Sequence, residues 1–164
     1  VSFDGPIAIR YPRGSAHQGL REYQAPVEYG RSEIIRKGKK IAVLGVGSMI
    51  PSCMEICKGL KDDGYDPTFV NARFVKPLDV DLLDELAKDH SLFVTVEENV
   101  KSGGYGEHVS AYMEACHPEI RVLSAAVWDR FVSQGNVESL RSRIGLGVED
   151  IRQAIEDSEE LREQ

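Results

Sequence analysis

The chain has 164 residues and a mass of 18.2 kDa, with 20 Lys plus Arg against 27 Asp plus Glu, for a formal net charge of −7. That length suits one compact domain, or one with an extra arm, but not two full ones, and it needs no disulfides or metal to fold. At 41 % hydrophobic and 29 % charged the sequence is not that of a disordered chain. Its acidic balance argues against a nucleic-acid partner, and no apolar run nears the roughly 20 residues of a membrane span.

The first 26 residues are rich in Gly, Pro and polar groups around one strand-like run, Pro6-Ile7-Ala8-Ile9-Arg10. The chain opens on Val1 rather than Met, so this stretch reads as the end of something longer, although a processed terminus would look the same. Val27–Ile35 is expected to add an antiparallel edge strand, because it precedes the first crossover without a helix. Ile41–Leu44 is a short apolar run suited to a strand covered on both faces. Gly45-Val46-Gly47-Ser48 follows as a turn, with Ser48 the expected N-cap. Ile50, Cys53, Met54, Cys57 and Leu60 then recur at helical steps, and Gly64 is the expected stop.

The cycle repeats. Thr68–Ala72 reads as a strand, Asp79 as an N-cap, and Leu82, Leu83, Leu86 and Ala87 as the helix face behind it. Leu92–Val96 is a third strand, Val109, Tyr112, Met113 and Cys116 a helical face, and Ile120–Leu123 a fourth strand. Two helical segments follow, near 137–143 and 148–162, divided by Gly145-Leu146-Gly147. Alternation of this kind predicts an α/β three-layer sandwich, with a mostly parallel sheet of about five strands and one antiparallel edge strand. The domain proper is expected over 27–164.

Three stretches carry candidate chemistry. Gly45-Val46-Gly47 opens like a dinucleotide fingerprint, but Ile50 stands where the third glycine belongs, and Asn71, Ala72 and Arg73 replace the acidic residue after the second strand. An independent nucleotide module is therefore disfavoured. In Glu97-Glu98-Asn99 with Gly103, Gly104 and Gly106, two carboxylates stand at a strand's C-terminal end, where open α/β sheets bind ligands. Successive strand residues point opposite ways, so Glu97 and Glu98 cannot both face one site, and structure or a subunit interface is favoured over catalysis. Arg10-Tyr11-Pro12-Arg13-Gly14 ends a strand with two arginines, which fits either a phosphate clamp or a surface ion pair. Cys53 and Cys57 stand at helical spacing and read as core residues. With Cys116 they make an odd count, which suits a reducing, cytoplasmic setting. His90 is expected at a helix end, where a cation complements the dipole. Neither a metal pattern nor a nucleophile elbow appears, so no catalytic residue is assigned.

Pro6–Gly14, Arg73-Phe74-Val75-Lys76-Pro77-Leu78-Asp79, Thr95–Asn99 with Gly103, Gly104 and Gly106, and Asp129-Arg130-Phe131 with Gln134-Gly135 occur in that order. Together they resemble the C-terminal portion of the 1-deoxy-D-xylulose-5-phosphate synthase family. The resemblance implies a three-domain transferase using thiamine diphosphate and magnesium. Such an enzyme condenses pyruvate with glyceraldehyde 3-phosphate, losing carbon dioxide, for isoprenoid, thiamine and pyridoxal synthesis. Residues 1–26 would end the pyrimidine-binding domain and supply the linker. The cofactor, the metal and the catalytic groups would lie in missing preceding domains, leaving this chain inactive and without cofactor. Arg13, ahead of Arg10, would contact the acceptor phosphate. The full enzyme would be a homodimer, with contact around Glu97–Gly106. Ser15 after Pro-Arg-Gly, and Trp128-Asp129-Arg130-Phe131, depart from the family's usual wording. The alternative is a stand-alone C-terminal subunit of a split transketolase.

Overall fold

The computed structural model describes residues 3–11, 17–23 and 25–158. Five strands form one sheet: β1 (Glu33–Arg36), β2 (Lys40–Gly45), β3 (Thr68–Asn71), β4 (His90–Val100) and β5 (Arg121–Val127). Their order is β1-β3-β2-β4-β5, with β1 antiparallel to β3 and every other pairing parallel. The antiparallel edge is where the sequence places it, since a strand that enters without a crossover helix has only that way to pair.

The helices are α1 (Ile50–Asp62), α2 (Val80–Leu86), α3 (Tyr105–Cys116), α4 (Val137–Arg143) and α5 (Val148–Glu156). Side chains alternate along β4 and sort the layers. Leu92, Val94 and Val96 pack with Ile56, Leu60, Ile151 and Ile155 of α1 and α5. Phe93 packs with Leu83, Leu86, Val109 and Met113 of α2 and α3 on the opposite face. The sheet separates the two cores, with Ile41–Leu44 of β2 and Leu92–Val96 of β4 buried; truncating Phe93 to Ala would cost about 3–5 kcal/mol. Cys53 and Cys57 are buried as expected, and burial pushes the Cys57 thiol up to about 12. α4 buries no residue.

Local chemistry explains most boundaries. Asp79 Oδ1 accepts from Leu82 N at 3.4 Å, capping α2, and Asp79 also takes Arg31 Nη1 at 3.0 Å and Ser32 N at 2.7 Å. Gly64, at φ 93°, follows α1 and bonds back to Lys61 O at 3.0 Å. Three expectations are corrected. Ser48 is not the N-cap: Gly47–Met49 forms a 3-10 turn, α1 starts behind Met49 with proline in its first turn, and the Ser48 hydroxyl turns to Glu98. β4 runs on past Val96 to Val100, through a bulge opposite β5. His90 is buried rather than a cation at a helix end. Its Nδ1 lies 2.8 Å from Leu86 O, so the proton is on Nδ1, and Nε2 accepts from Thr68 Oγ1 at 2.7 Å. Burial outweighs the Leu86 carbonyl and Asp89 and lowers its pKa.

Candidate functional site

The parallel strands β2, β3 and β4 end together, laced by Val46 N to Val96 O (3.0 Å) and Ala72 N to Gly45 O (2.9 Å). β2 is flanked by β3 on one side and β4 on the other, so the chain's crossovers diverge here, the position where open α/β sheets place their ligands. What occupies this edge is set by the two faces of β4.

On one face stands Glu97, 2 % exposed. Its carboxylate accepts from Tyr105 N at 3.0 Å and from Gly106 N at 2.8 Å, two of the donors that the first turn of α3 leaves without helical partners. The glycines make that approach possible. A Cβ on Gly104 would lie 2.6 Å from Glu97 Oε1, and one on Gly106 would lie 2.2 Å from Ser124 Oγ and 2.4 Å from Thr95 Oγ1. Gly103 turns the chain at φ 73°, and its N–H meets Glu107 Oε2 at 2.5 Å. Glu97 and the glycines are therefore one capping device that seats α3 against the sheet.

On the other face is Glu98, half-buried. Oε2 takes the Ser48 hydroxyl, and Oε1 takes Arg141 Nε at 2.8 Å with Arg141 Nη2 at 2.7 Å. Burial alone would raise this carboxyl; Ser48, Arg141 and, more distantly, Arg10 outweigh it and hold the pKa below the ordinary glutamate value. Arg10 Nη1 donates to Asn99 Oδ1 at 3.2 Å, which lays the extended arm 3–11 across this edge. The arm is fastened further back by aromatic contacts from Phe3 to Tyr29 (5.1 Å) and from Tyr29 to Phe74 (5.9 Å). Arg73 secures the linker through Glu33 Oε2 at 2.5 Å and the carbonyls of Ala25 and Pro26 at 3.3 Å. Beyond Asn99, Lys101 Nζ sits 4.7 Å over the Trp128 ring.

Of the residues singled out from sequence, Arg10, Glu98 and Asn99 meet at one place. Glu97, Gly104 and Gly106 are inside the fold, whereas Gly103 is on the surface. Arg13 lies outside the described residues. Ser48 and Arg141 join the site without a signal in the sequence, since neither stands in a spacing that marks a partner 43 or 50 residues away. The histidines do not converge: His108 is exposed, and His117 Nε2 is 2.7 Å from Asp84 Oδ1 on the outer side of α2 and α3.

The described residues do not fit a thiamine diphosphate site of their own. The α3 amides that could take a diphosphate are filled by Glu97, and no group of three His, Cys, Asp or Glu is placed to hold a metal. A family model described as the transketolase C-terminal domain matches residues 30–151. The chain belongs to the transketolase C-terminal domain family. Within it, the chain is 41 % identical over 152 residues to 1-deoxy-D-xylulose-5-phosphate synthase of Lachnoclostridium phytofermentans, covering 92 % of this chain and 24 % of that protein. It is 39 % identical over 156 residues to the synthase of Dictyoglomus thermophilum, covering 94 % and 25 %. The chain thus spans about a quarter of the length of these relatives. Among solved structures, a split-gene transketolase described as an inactive β4 tetramer superposes with a TM-score of 0.76 at 29 % identity, over 83 % of this chain and 44 % of that one. The transketolase C-terminal domain found here is the expected α/β sandwich.

Proposed function

We propose that this chain is the C-terminal portion of a thiamine-diphosphate-dependent synthase. The complete enzyme condenses pyruvate with glyceraldehyde 3-phosphate to 1-deoxy-D-xylulose 5-phosphate, with loss of carbon dioxide. The observation that carries the reading is the 41 % identity to that synthase along 92 % of this chain. In this reading residues 1–26 finish the pyrimidine-binding domain and link it to 27–164. Thiamine diphosphate and Mg2+ are held by preceding domains, and the complete enzyme is a cytoplasmic homodimer. This domain supplies support, together with an arginine pair, Arg13 and Arg10, for the phosphate of the acceptor aldehyde. Arg10 is held by Asn99 on the edge that the arm crosses, which is a positioned rather than a free guanidinium.

The test is turnover by the complete polypeptide, given thiamine diphosphate, Mg2+, pyruvate and the aldehyde. The expected result is 1-deoxy-D-xylulose 5-phosphate from the complete enzyme and none from residues 1–164. Turnover by the 164-residue chain alone would overturn the division of labour. In the complete enzyme, Arg13→Ala should raise KM for the phosphorylated aldehyde by about tenfold or more with little change for pyruvate, the loss of one charge-assisted contact. An unchanged KM removes Arg13 from the site.

A second reading, a separately encoded C-terminal subunit of a split transketolase, is favoured by the 0.76 TM-score to the split-gene protein. A start codon just before Val1 would select it.

A further inference from the structure

At the sheet edge the Arg10 guanidinium is paired with a neutral side chain, although a carboxylate stands next to that side chain in the sequence. Arg10 Nη1 donates to Asn99 Oδ1 at 3.2 Å. Arginine carries only donors, so the amide oxygen is the atom that must face it. Glu98 would be the stronger partner, because carboxylate–guanidinium pairs are charge-assisted. It is already occupied. Oε2 takes the Ser48 hydroxyl, and Oε1 takes Arg141 Nε at 2.8 Å and Nη2 at 2.7 Å. Arg10 still lies within electrostatic reach, for its charge is among those that hold the Glu98 carboxyl below the ordinary glutamate value. The two arginines thus divide the edge: Arg141 takes the carboxylate, and Arg10 is oriented by a dipole that leaves its positive charge unspent.

We infer that Asn99 is the positioning residue for Arg10, and that Arg141, by holding Glu98, keeps the Arg10 charge available to the acceptor phosphate. The inference rests on the reading above, in which Arg10 and Arg13 meet that phosphate. An arginine paired to a carboxylate must give up the pair before a phosphate can take its fork, and the exchange costs affinity. An arginine held through an amide oxygen keeps both its direction and its full charge. Position 99 is therefore matched to asparagine. Aspartate there would keep the acceptor oxygen but spend the charge, whereas alanine would keep the charge but lose the direction. Glu98 is the competing anion, and the two Arg141 contacts are what occupy it.

Steady-state kinetics of the complete polypeptide, with thiamine diphosphate and Mg2+, test this by comparing KM for glyceraldehyde 3-phosphate with KM for pyruvate. Asn99→Ala should raise the aldehyde KM about threefold and Asn99→Asp about tenfold, with kcat and the pyruvate KM within about twofold of the parent. A purely structural hydrogen bond predicts the reverse order, since aspartate offers Arg10 the stronger acceptor. Arg141→Gln should raise the aldehyde KM about threefold, because Glu98 is then released to pair with Arg10, and adding Glu98→Gln should return the parent value. Asn99 is partly exposed, so its variants keep the fold and the test at position 99 stands without the Arg141 variants. Alanine costlier than aspartate, an aldehyde KM that neither variant moves, or an Arg141→Gln defect that Glu98→Gln does not cure overturns the inference. A complete polypeptide that makes no 1-deoxy-D-xylulose 5-phosphate overturns the reading above and this inference with it. A productive one with the wrong order at position 99 overturns this inference alone.

Discussion

Glu97 and Glu98 are neighbours on one strand, yet the two sides of the sheet put them to opposite uses. The α3 side is closed. Glu97 is sealed among backbone amides, and glycines bring the helix so near that a methyl group would collide with Thr95 and Ser124. The α1 side is open. Glu98 reaches Ser48 and Arg141, α4 buries nothing, and the arm rests on Asn99 through a 3.2 Å hydrogen bond from Arg10. The contrast teaches that a motif rich in carboxylates and glycines at a ligand-binding edge need not bind a ligand. Here Glu97, Gly104 and Gly106 build the scaffold, and Glu98 and Asn99 face the other side of the sheet.

Substitutions should divide along the same line. The largest loss is expected at Gly106, where a valine Cβ would start 2.2 Å from Ser124 Oγ; Gly106→Val should cost about 3 kcal/mol or more in denaturant unfolding. A cost below that of an ordinary surface change would show that α3 can withdraw from the sheet. Next is Glu97→Ala, which strands the Tyr105 and Gly106 N–H groups and should cost about 2–3 kcal/mol. In the complete enzyme it should leave kcat per folded molecule unchanged; a lower kcat at unchanged melting temperature would make Glu97 a catalytic group and erase the contrast. On the open side, a double-mutant cycle between Glu98→Ala and Arg141→Ala should return a coupling of about 1 kcal/mol that shrinks in salt. A coupling as large as the Glu97 loss would mean that both sides are closed.

A smaller effect comes from the other end of β4. The His90 pKa is lower in the folded chain than in the unfolded one, so between the two values the unfolded state binds more protons. Its contribution is complete above about pH 6.5 and declines as pH falls through that value toward the folded-state pKa. Urea unfolding from pH 7.5 down to pH 5 should show this decline, and His90→Leu should flatten it. An identical slope in the variant would assign the decline to other groups. The smallest effect is Phe131→Ser in the 164-residue chain, expected within about 0.5 kcal/mol of zero because the ring touches nothing it would lose.

The framework was legible because burial imposes period and punctuation. Ile41–Leu44 and Thr68–Ala72 locate β2 and β3 to within a residue or two, Val137–Arg143 matches the helix expected at 137–143, and Asp79 caps where an aspartate before an apolar face should. The expected 148–162 helix is described as Val148–Glu156, with the residues after 158 outside the described part. The opposed directions of Glu97 and Glu98 followed from strand alternation alone. What stayed hidden depended on distant partners. Ser48 has the chemistry of an N-cap, but a hydroxyl takes the nearest strong acceptor, and tertiary packing placed Glu98 there. His90 read as a cation at a helix end, but the fold closes Thr68 and Leu86 around its ring. Arg141 is one of two arginines in a helix that buries nothing, and no local pattern says which of them turns inward.

In the proposed division of labour, the cofactor's site lies in the preceding domains and not within residues 1–164. Calorimetric titration of thiamine diphosphate with Mg2+ tests it most directly. Saturable heat is expected from the complete polypeptide and none from residues 1–164; saturable binding to the 164-residue chain alone would contradict that division of labour.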